Sequence, residues 1–396
     1  MKVALVFDGL QMGGIGRVGL NYIPIFQNLN YDVTVINLNP SLNDLEKIIP
    51  KNVHVNNIRF PRKFAPEQYS QLIKRGIFFK LIYPIIFILL TIANYIYLFY
   101  CKLAYKCCRE NYDIVIAFSS HFNDLTFVAE NFLKAHKKIA WCHGAIYEYL
   151  LISDGYINLY NKIQNIIVLV RDGERELLIT NPQLKAKIFQ LYNPVSIGKK
   201  KVSKSTVKEL KEKYGHFLLM IARFDYPYKD PYTVMQALNI LINKYHKNDL
   251  SLVFVGDGPD LKKAQQFSKN LSQNVSSKIH FVGKQYDVQN FYKAAYIYVQ
   301  AGAATEGLPT TMIEAMSFNL PEVVTNVKVG PREILGDNEY GLLCKPVDPN
   351  DMALKINELL INKKIFKEFQ HKEIERRKDF MPENIQNKLN NILKTI

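Results

Sequence analysis

The chain has 396 residues, enough for two domains at ~100–200 residues each. Hydrophobic residues make up 48% and charged residues 22%, which excludes disordered, collagen-like and coiled-coil descriptions of the whole. Five cysteines without Cys-x-x-Cys or Cys/His ligand spacing exclude a disulfide framework and a structural zinc site. They fit reduced thiols in the cytosol. Lys and Arg exceed Asp and Glu by 51 to 36, a net charge of +15, which points to an anionic partner.

In chain order, Met1-Lys2 precedes only five apolar residues before Asp8. That is too short for a secretory leader and reads as a first buried strand over 3–7. The glycine-rich Gly13-Gly14-Ile15-Gly16-Arg17 follows, then a helical pattern to about Asn28, interrupted by Pro24. Further strands are expected at 33–38, 114–118, 138–142 and 166–170. Strand and helix alternation of this kind predicts an α/β doubly wound sheet.

Residues 81–101 form a 21-residue run without charge. Across 59–109 nine basic residues face one acidic residue, Glu67. A buried helix, a spanning helix and a helix lying in the membrane interface are the competing readings. The predicted strands on either side belong to one sheet, and a single crossing would part them. Basic residues on both flanks give no orientation. Pro84, Asn94 and five tyrosines suit an interface. Segment 59–109 is therefore expected to meet an anionic membrane surface.

Asn193-Pro194 and the polar stretch to 206 mark a linker. Domain one is expected over 1–200, domain two over 201–376, and a final helical segment 377–396 crosses back to the first. The second half repeats the plan, with strands predicted at 217–221, 250–255, 279–282, 296–300, 322–325 and 341–344. Two similar doubly wound domains facing across a cleft follow, with loops beyond the strands' carboxyl ends lining it.

Chemistry concentrates in three places. Glu306 and Glu314 lie eight positions apart around Gly307-Leu308-Pro309-Thr310-Thr311. Pro309 suits the first helical position, leaving the amides of Thr310 to Met312 as an anion site for a diphosphate. The two carboxylates would accept hydrogen bonds from hydroxyls on either side. Arg223 and Lys229 flank a short turn and can offer a planar fork and a point charge to phosphate oxygens. His143 closes a predicted strand before Gly144. Gly13 and Gly14 permit close backbone approach, but the dinucleotide fingerprint is incomplete. Gly256-Asp257-Gly258-Pro259 reads as a tight turn. No Asp-x-Asp and no Gly-Lys-Ser/Thr occurs, so neither a carboxylate-held metal nor a P-loop is indicated.

Taken together, these residues resemble the family-4 retaining glycosyltransferases of GT-B architecture, two Rossmann-like domains facing across a cleft. Further matching features are Asn193-Pro194, the run from His280 to Gly283, Ala315-Met316, Pro321, and the run from Gly330 to Leu335. The resemblance implies that Arg223 and Lys229 neutralise the diphosphate of a nucleotide sugar. It makes Glu314 the ribose acceptor and Glu306 the contact to the donor sugar near the reacting carbon. His143 becomes a further sugar contact, and Glu306, Arg223, Lys229 and His143 the catalytic set. Gly13, Gly14, Gly256, Gly283, Gly307, Leu308, Thr310 and Thr311 would line the donor. Departures are Asp230 where glycine is frequent, Gly307-Leu308-Pro309 in place of an aromatic–glycine pair, and Val170-Arg171 where a small serine is usual.

The implied activity is metal-independent transfer from a nucleotide diphosphate sugar, by family habit UDP-linked, to a glycan or lipid-linked acceptor of cell-surface polysaccharide. No separate cofactor is expected. The enzyme would sit peripherally on the cytoplasmic membrane face. A nucleotide-sugar epimerase of the same fold is one rival, and a non-enzymatic basic module binding membrane or nucleic acid is another. The densest charge flanks an apolar run instead of lining a groove with stacking aromatics, which favours lipid over nucleic acid.

Overall fold

A computed structural model describes residues 1–11, 14–61, 76–104, 110–143, 154–180, 183–195, 201–285 and 287–396. The chain divides into two compact units, Met1–Pro194 with Ile385–Ile396, and Val195–Asn384. The division falls within the stretch expected as linker. Gly13 lies outside the described residues, as does most of the basic flank at 62–75 and 105–109.

The first unit carries seven parallel strands: β1 (Lys2–Phe7), β2 (Asp32–Asn37), β3 (His54–Asn57), β4 (Asn111–Ala117), β5 (Lys134–Cys142), β6 (Asn165–Val168) and β7 (Lys187–Gln190), in the order β3-β2-β1-β4-β5-β6-β7. Its helices are α1 (Gly14–Asn28), α2 (Ile77–Ala104), α3 (Phe122–Ala129), α4 (Asp154–Ile163) and α5 (Arg171–Thr180). Strand β1 reads Val-Ala-Leu-Val-Phe over 3–7 and is buried along that whole length, as parallel strands covered on both faces must be. It pairs directly with both β2 and β4. The chain therefore leaves the sheet before α2 and returns to the same sheet after it.

Helix α2 packs at its carboxyl end and carries an exposed apolar stripe. The Tyr97 hydroxyl donates to the Pro61 carbonyl, its ring lies 6.3 Å from Phe60, and Cys101 is fully buried. Leu81, Ile85, Ile88, Ile92, Ile96 and Phe99 are each more than half exposed. Their three- and four-residue spacing makes one stripe. At ~1.5 Å per residue the 28-residue helix is about 42 Å long.

The second unit carries six parallel strands: β8 (His216–Ile221), β9 (Leu250–Val255), β10 (Ile279–Phe281), β11 (Ile297–Gln300), β12 (Glu322–Thr325) and β13 (Leu342–Cys344), in the order β10-β9-β8-β11-β12-β13. Its helices are α6 (Lys204–Tyr214), α7 (Pro231–Asn243), α8 (Leu261–Lys269), α9 (Gln273–Ser276), α10 (Gln289–Ala294), α11 (Thr310–Ser317), α12 (Gly330–Leu335), α13 (Pro349–Ile361) and α14 (Lys363–Arg376). Leu218, Leu252, Val299 and Val323 on neighbouring strands share one core with Leu238 of α7 and Ile356 of α13. The last helix, α15 (Pro382–Thr395), buries Ile385, Leu389 and Leu393, and the Lys137 ammonium of β5 donates to the Leu393 carbonyl. From Ile385 on it packs with the first unit.

Candidate functional site

In the second unit the strand order reverses between β8 and β11. Loops diverge there at the carboxyl ends of both strands, the usual place for a ligand in an open α/β sheet. The loop after β8 carries Arg223 and Lys229. It is held by a second loop, 256–260. The Phe224 amide donates to the Asp257 carbonyl (3.1 Å), and the Tyr226 amide to the Asp260 carboxylate (3.0 Å). Gly256 explains the close approach: a Cβ there would stand 1.9 Å from the Ala222 carbonyl oxygen. Gly256 and Gly283 also bond to each other, amide to carbonyl at 2.9 Å. Both glycines expected against a ligand thus shape the backbone.

Asp230 caps α7. Its carboxylate accepts from the amides of Tyr232 and Thr233 (3.0 and 3.1 Å), and Pro231 takes the first helical position. Its own amide donates to the Ala301 carbonyl, tying the turn to the loop after β11. The lysine therefore ends a turn fixed at both ends. Arg223 and Lys229 differ in setting. The Arg223 side chain is 73% exposed and pairs with Asp225 at 3.6 Å. The Lys229 side chain is 17% exposed and its ammonium pairs with Glu306, itself 14% exposed.

Glu306 is fixed through its backbone and its side chain. Its amide donates to the Lys328 carbonyl (2.6 Å), and its carbonyl accepts from the amides of Val329 and Gly330. A Cβ at Gly330 would overlap the Gly307 carbonyl oxygen at 1.6 Å, so only glycine lets these loops meet. One carboxylate oxygen accepts from Lys229, the other from the Gln300 amide at 2.8 Å. Gln300 ends β11 and is buried. Its carbonyl oxygen accepts from the Tyr298 hydroxyl (2.9 Å) and the Thr311 hydroxyl (3.0 Å). Burial holds the Tyr298 and Tyr292 hydroxyls well above their usual pKa, so both remain donors.

Helix α11 begins beside this network. Pro309 is its capping residue, one position earlier than the sequence predicts, and the cap lacks a side-chain hydrogen bond. The Met312 amide donates to the Pro309 carbonyl at 3.2 Å in a tightened first turn. That corrects the expected trio of open amides to Thr310 and Thr311. Leu308 buries its side chain. Glu314 accepts from the buried Tyr292 hydroxyl at 2.9 Å, and Tyr292 also reaches the Thr311 carbonyl (3.1 Å).

The first unit has its own reversal, between β1 and β4. Asp8 follows β1 and pairs with His121 at 3.3 Å, and the Asn123 side-chain amide donates to it at 3.0 Å. The amides of Ser119 and Ser120 both donate to Asp124, whose carboxyl burial pushes up to about 7. His143 follows β5, with its ring 4.8 Å from that of Phe118 and stacked on Trp141 at 6.4 Å. Burial pushes it down to about 3, so the imidazole is neutral. Gly14 is the exposed first residue of α1, with open space where a Cβ would stand.

Residues 202–379 match the family model described as glycosyl transferases group 1. An N-acetylgalactosaminyltransferase of Campylobacter jejuni is 27% identical over 235 residues, 58% of this chain and 60% of that protein. Its name gives it a diphospho-undecaprenol acceptor. An uncharacterised glycosyltransferase of Haemophilus influenzae is 28% identical over 186 residues, 47% of this chain and 49% of that protein. The chain thus spans about half the length of such relatives. The solved structure of Anabaena HepE with UDP and glucose superposes over all of both chains, with a TM-score of 0.71 at 15% identity. The fold is GT-B.

Residues 202–379 are a group 1 glycosyl transferase domain.

Within the glycosyl transferase domain, Lys229, Glu306, Thr311 and the start of α11 come together around Gln300, while Arg223 stands exposed at the rim. Glu314 joins through Tyr292, which bonds to it and to the Thr311 carbonyl. Arg223 and Lys229 were expected at a strand end and a helix start. Each instead lies two residues into the connecting loop, where backbone is free to turn. Gln300, Tyr298 and Tyr292 were missed. They sit in apolar-looking segments, and the sole signal was a polar residue closing a buried strand. Among the described residues no three His, Cys, Asp or Glu side chains stand together as a metal site.

Proposed function

We propose that the protein is a retaining, metal-independent glycosyltransferase. It would move a sugar from a nucleotide diphosphate sugar, most simply UDP-linked, to a hydroxyl of a lipid-linked or glycan acceptor. The observation that carries this reading is the Lys229–Glu306 pair beside the uncapped start of α11, at the strand reversal of a group 1 domain. A helix N-terminus and a lysine together favour a diphosphate. They stabilise the negative charge that grows on it as the sugar departs. Arg223, exposed on the same loop, can swing toward the same charge. Glu314 takes the ribose hydroxyls.

Glu306 has both carboxylate oxygens engaged, which suits a hydrogen-bond acceptor for the donor sugar better than an attacking nucleophile. The proposed step therefore breaks the bond between the anomeric carbon and the diphosphate oxygen. The acceptor oxygen bonds to the same carbon on the same face, and its proton passes to the departing diphosphate. Charge neutralisation by Arg223 and Lys229 replaces a divalent cation in this scheme.

The apolar stripe of α2 supports an acceptor at the cytoplasmic membrane face. An exposed apolar surface of this length marks an interaction site, and Lys80 and Lys102 stand near its ends. A helix whose carboxyl end packs on its own unit, and with both flanking strands in one sheet, suits the interface better than a single crossing. Nucleoside diphosphate release from a panel of sugar nucleotides, with and without acceptor and with a chelator, tests the proposal. Acceptor-dependent release that survives the chelator is expected, with Lys229→Ala and Glu306→Gln slowed by roughly 10²–10³-fold. Near wild-type rates in both variants would refute it.

A further inference from the structure

We infer that Gln300 is the positioning residue of this site, holding the Glu306 carboxylate in one orientation and through it the Lys229 ammonium. The inference rests on the function proposed above and adds a residue that the sequence pattern does not reveal.

Gln300 is 2% exposed, so its amide competes with no water. Its carbonyl oxygen receives two hydroxyl donors, Tyr298 at 2.9 Å and Thr311 at 3.0 Å. Turning the amide over would aim its oxygen at the Glu306 carboxylate, which only accepts. The orientation is therefore fixed, with the NH₂ toward Glu306 at 2.8 Å. Glu306 is then held at three points: its backbone between Lys328 and Gly330, one oxygen on Gln300, the other on Lys229. The Thr311 hydroxyl links the same amide to the first turn of α11. Strand end, glutamate and helix tip are thus tied together by one side chain. Without the Gln300 donor the carboxylate is free to rotate about its terminal bond, and the Lys229 ammonium follows it.

The test is steady-state kinetics on the full chain, with UDP-sugar donor and acceptor, for Gln300→Glu and Gln300→Met. Gln300→Glu keeps the shape but sets a second carboxyl against Glu306 in place of the amide, and Gln300→Met removes the donor without adding charge. Groups that orient a functional side chain typically change activity 10–100-fold when lost. A fall of about that size in kcat is expected, with donor KM within about threefold, because the effect is on geometry at the reacting carbon. Melting temperatures report any loss of fold separately. Should Gln300→Met fail to fold, Thr311→Val supplies the second reading, since it removes one of the two donors that set the amide. It is expected to lower kcat about three- to tenfold with KM unchanged. Wild-type kcat in Gln300→Glu, or a loss confined to KM, overturns the inference. If the wild type releases nucleoside diphosphate, Glu306→Gln does not and Gln300→Glu does, this inference fails and the proposed function stands. If the wild type turns over no sugar nucleotide, the proposed function is what fails.

Discussion

Replacing Glu373 by glutamine should stabilise the second unit at alkaline pH. Glu322 opens β12, facing Tyr298 in the strand register, and Glu373 lies on α14. Both are fully buried, and none of their four carboxylate oxygens has a hydrogen-bond partner among the described residues. Burial pushes both well above the carboxylate range, and the charge of Glu373 raises Glu322 further. The folded unit keeps protons that the unfolded chain releases above about pH 4.3. Stability is therefore fullest below that pH and is lost as pH rises toward the native values. Each retained proton contributes a slope of about 1.4 kcal/mol per pH unit. Glu373→Gln removes one titrating group and with it the charge that raises Glu322. The stability difference between variant and wild type should grow as pH rises above the unfolded value, by up to about 1.4 kcal/mol per pH unit. For a unit of this size that slope is roughly 3–6 °C in melting temperature per pH unit, at ~2–4 °C per kcal/mol. Thermal melts of both proteins from pH 5 to pH 8 measure it. Parallel curves, or a variant less stable at pH 8, would refute the reasoning.

Three further outcomes are expected. Gly330→Ala places a methyl 1.6 Å from the Gly307 carbonyl oxygen and must shift the Glu306 loop, so turnover should fall by about 10²-fold in rate assays. Ile88→Glu with Ile92→Glu charges the exposed stripe of α2 and should abolish sedimentation with anionic vesicles while leaving the melting temperature within a few degrees; equal sedimentation would remove the membrane assignment. His143→Phe should make the first unit more acid-resistant. The native imidazole titrates near 3 against about 6.5 unfolded, so wild-type stability falls by ~1.4 kcal/mol per pH unit as pH drops between those values. Acid melts that match the wild type would show that His143 is not held neutral.

The strands with continuous apolar runs, such as 3–7 and 252–255, were legible because two-faced burial favours apolar side chains on both faces. Strands β3 and β7 were not: each is an edge strand of four residues with polar positions and little burial. Glu306, Lys229 and the start of α11 were legible because carboxylate, cation and Pro–Thr–Thr stand near strand ends. Their mutual pairing was not, since it depends on the β8–β11 adjacency. Asp230 read as a departure in the loop, yet its role is local: it caps α7 and settles where the lysine turn ends. Gln300 and the Glu322–Glu373 pair stayed hidden because each is polar inside an apolar strand or amphipathic helix. Only the packed structure shows what faces them.

The central claim is that Lys229 and the first turn of α11 hold a nucleoside diphosphate, with Glu306 beside them for the sugar. Calorimetric titration of UDP into the wild type and into Lys229→Ala tests this most directly. Binding to the wild type that weakens at least about tenfold in the variant is the predicted result, a loss of ~1.4 kcal/mol or more. Equal affinity in the two proteins would contradict it.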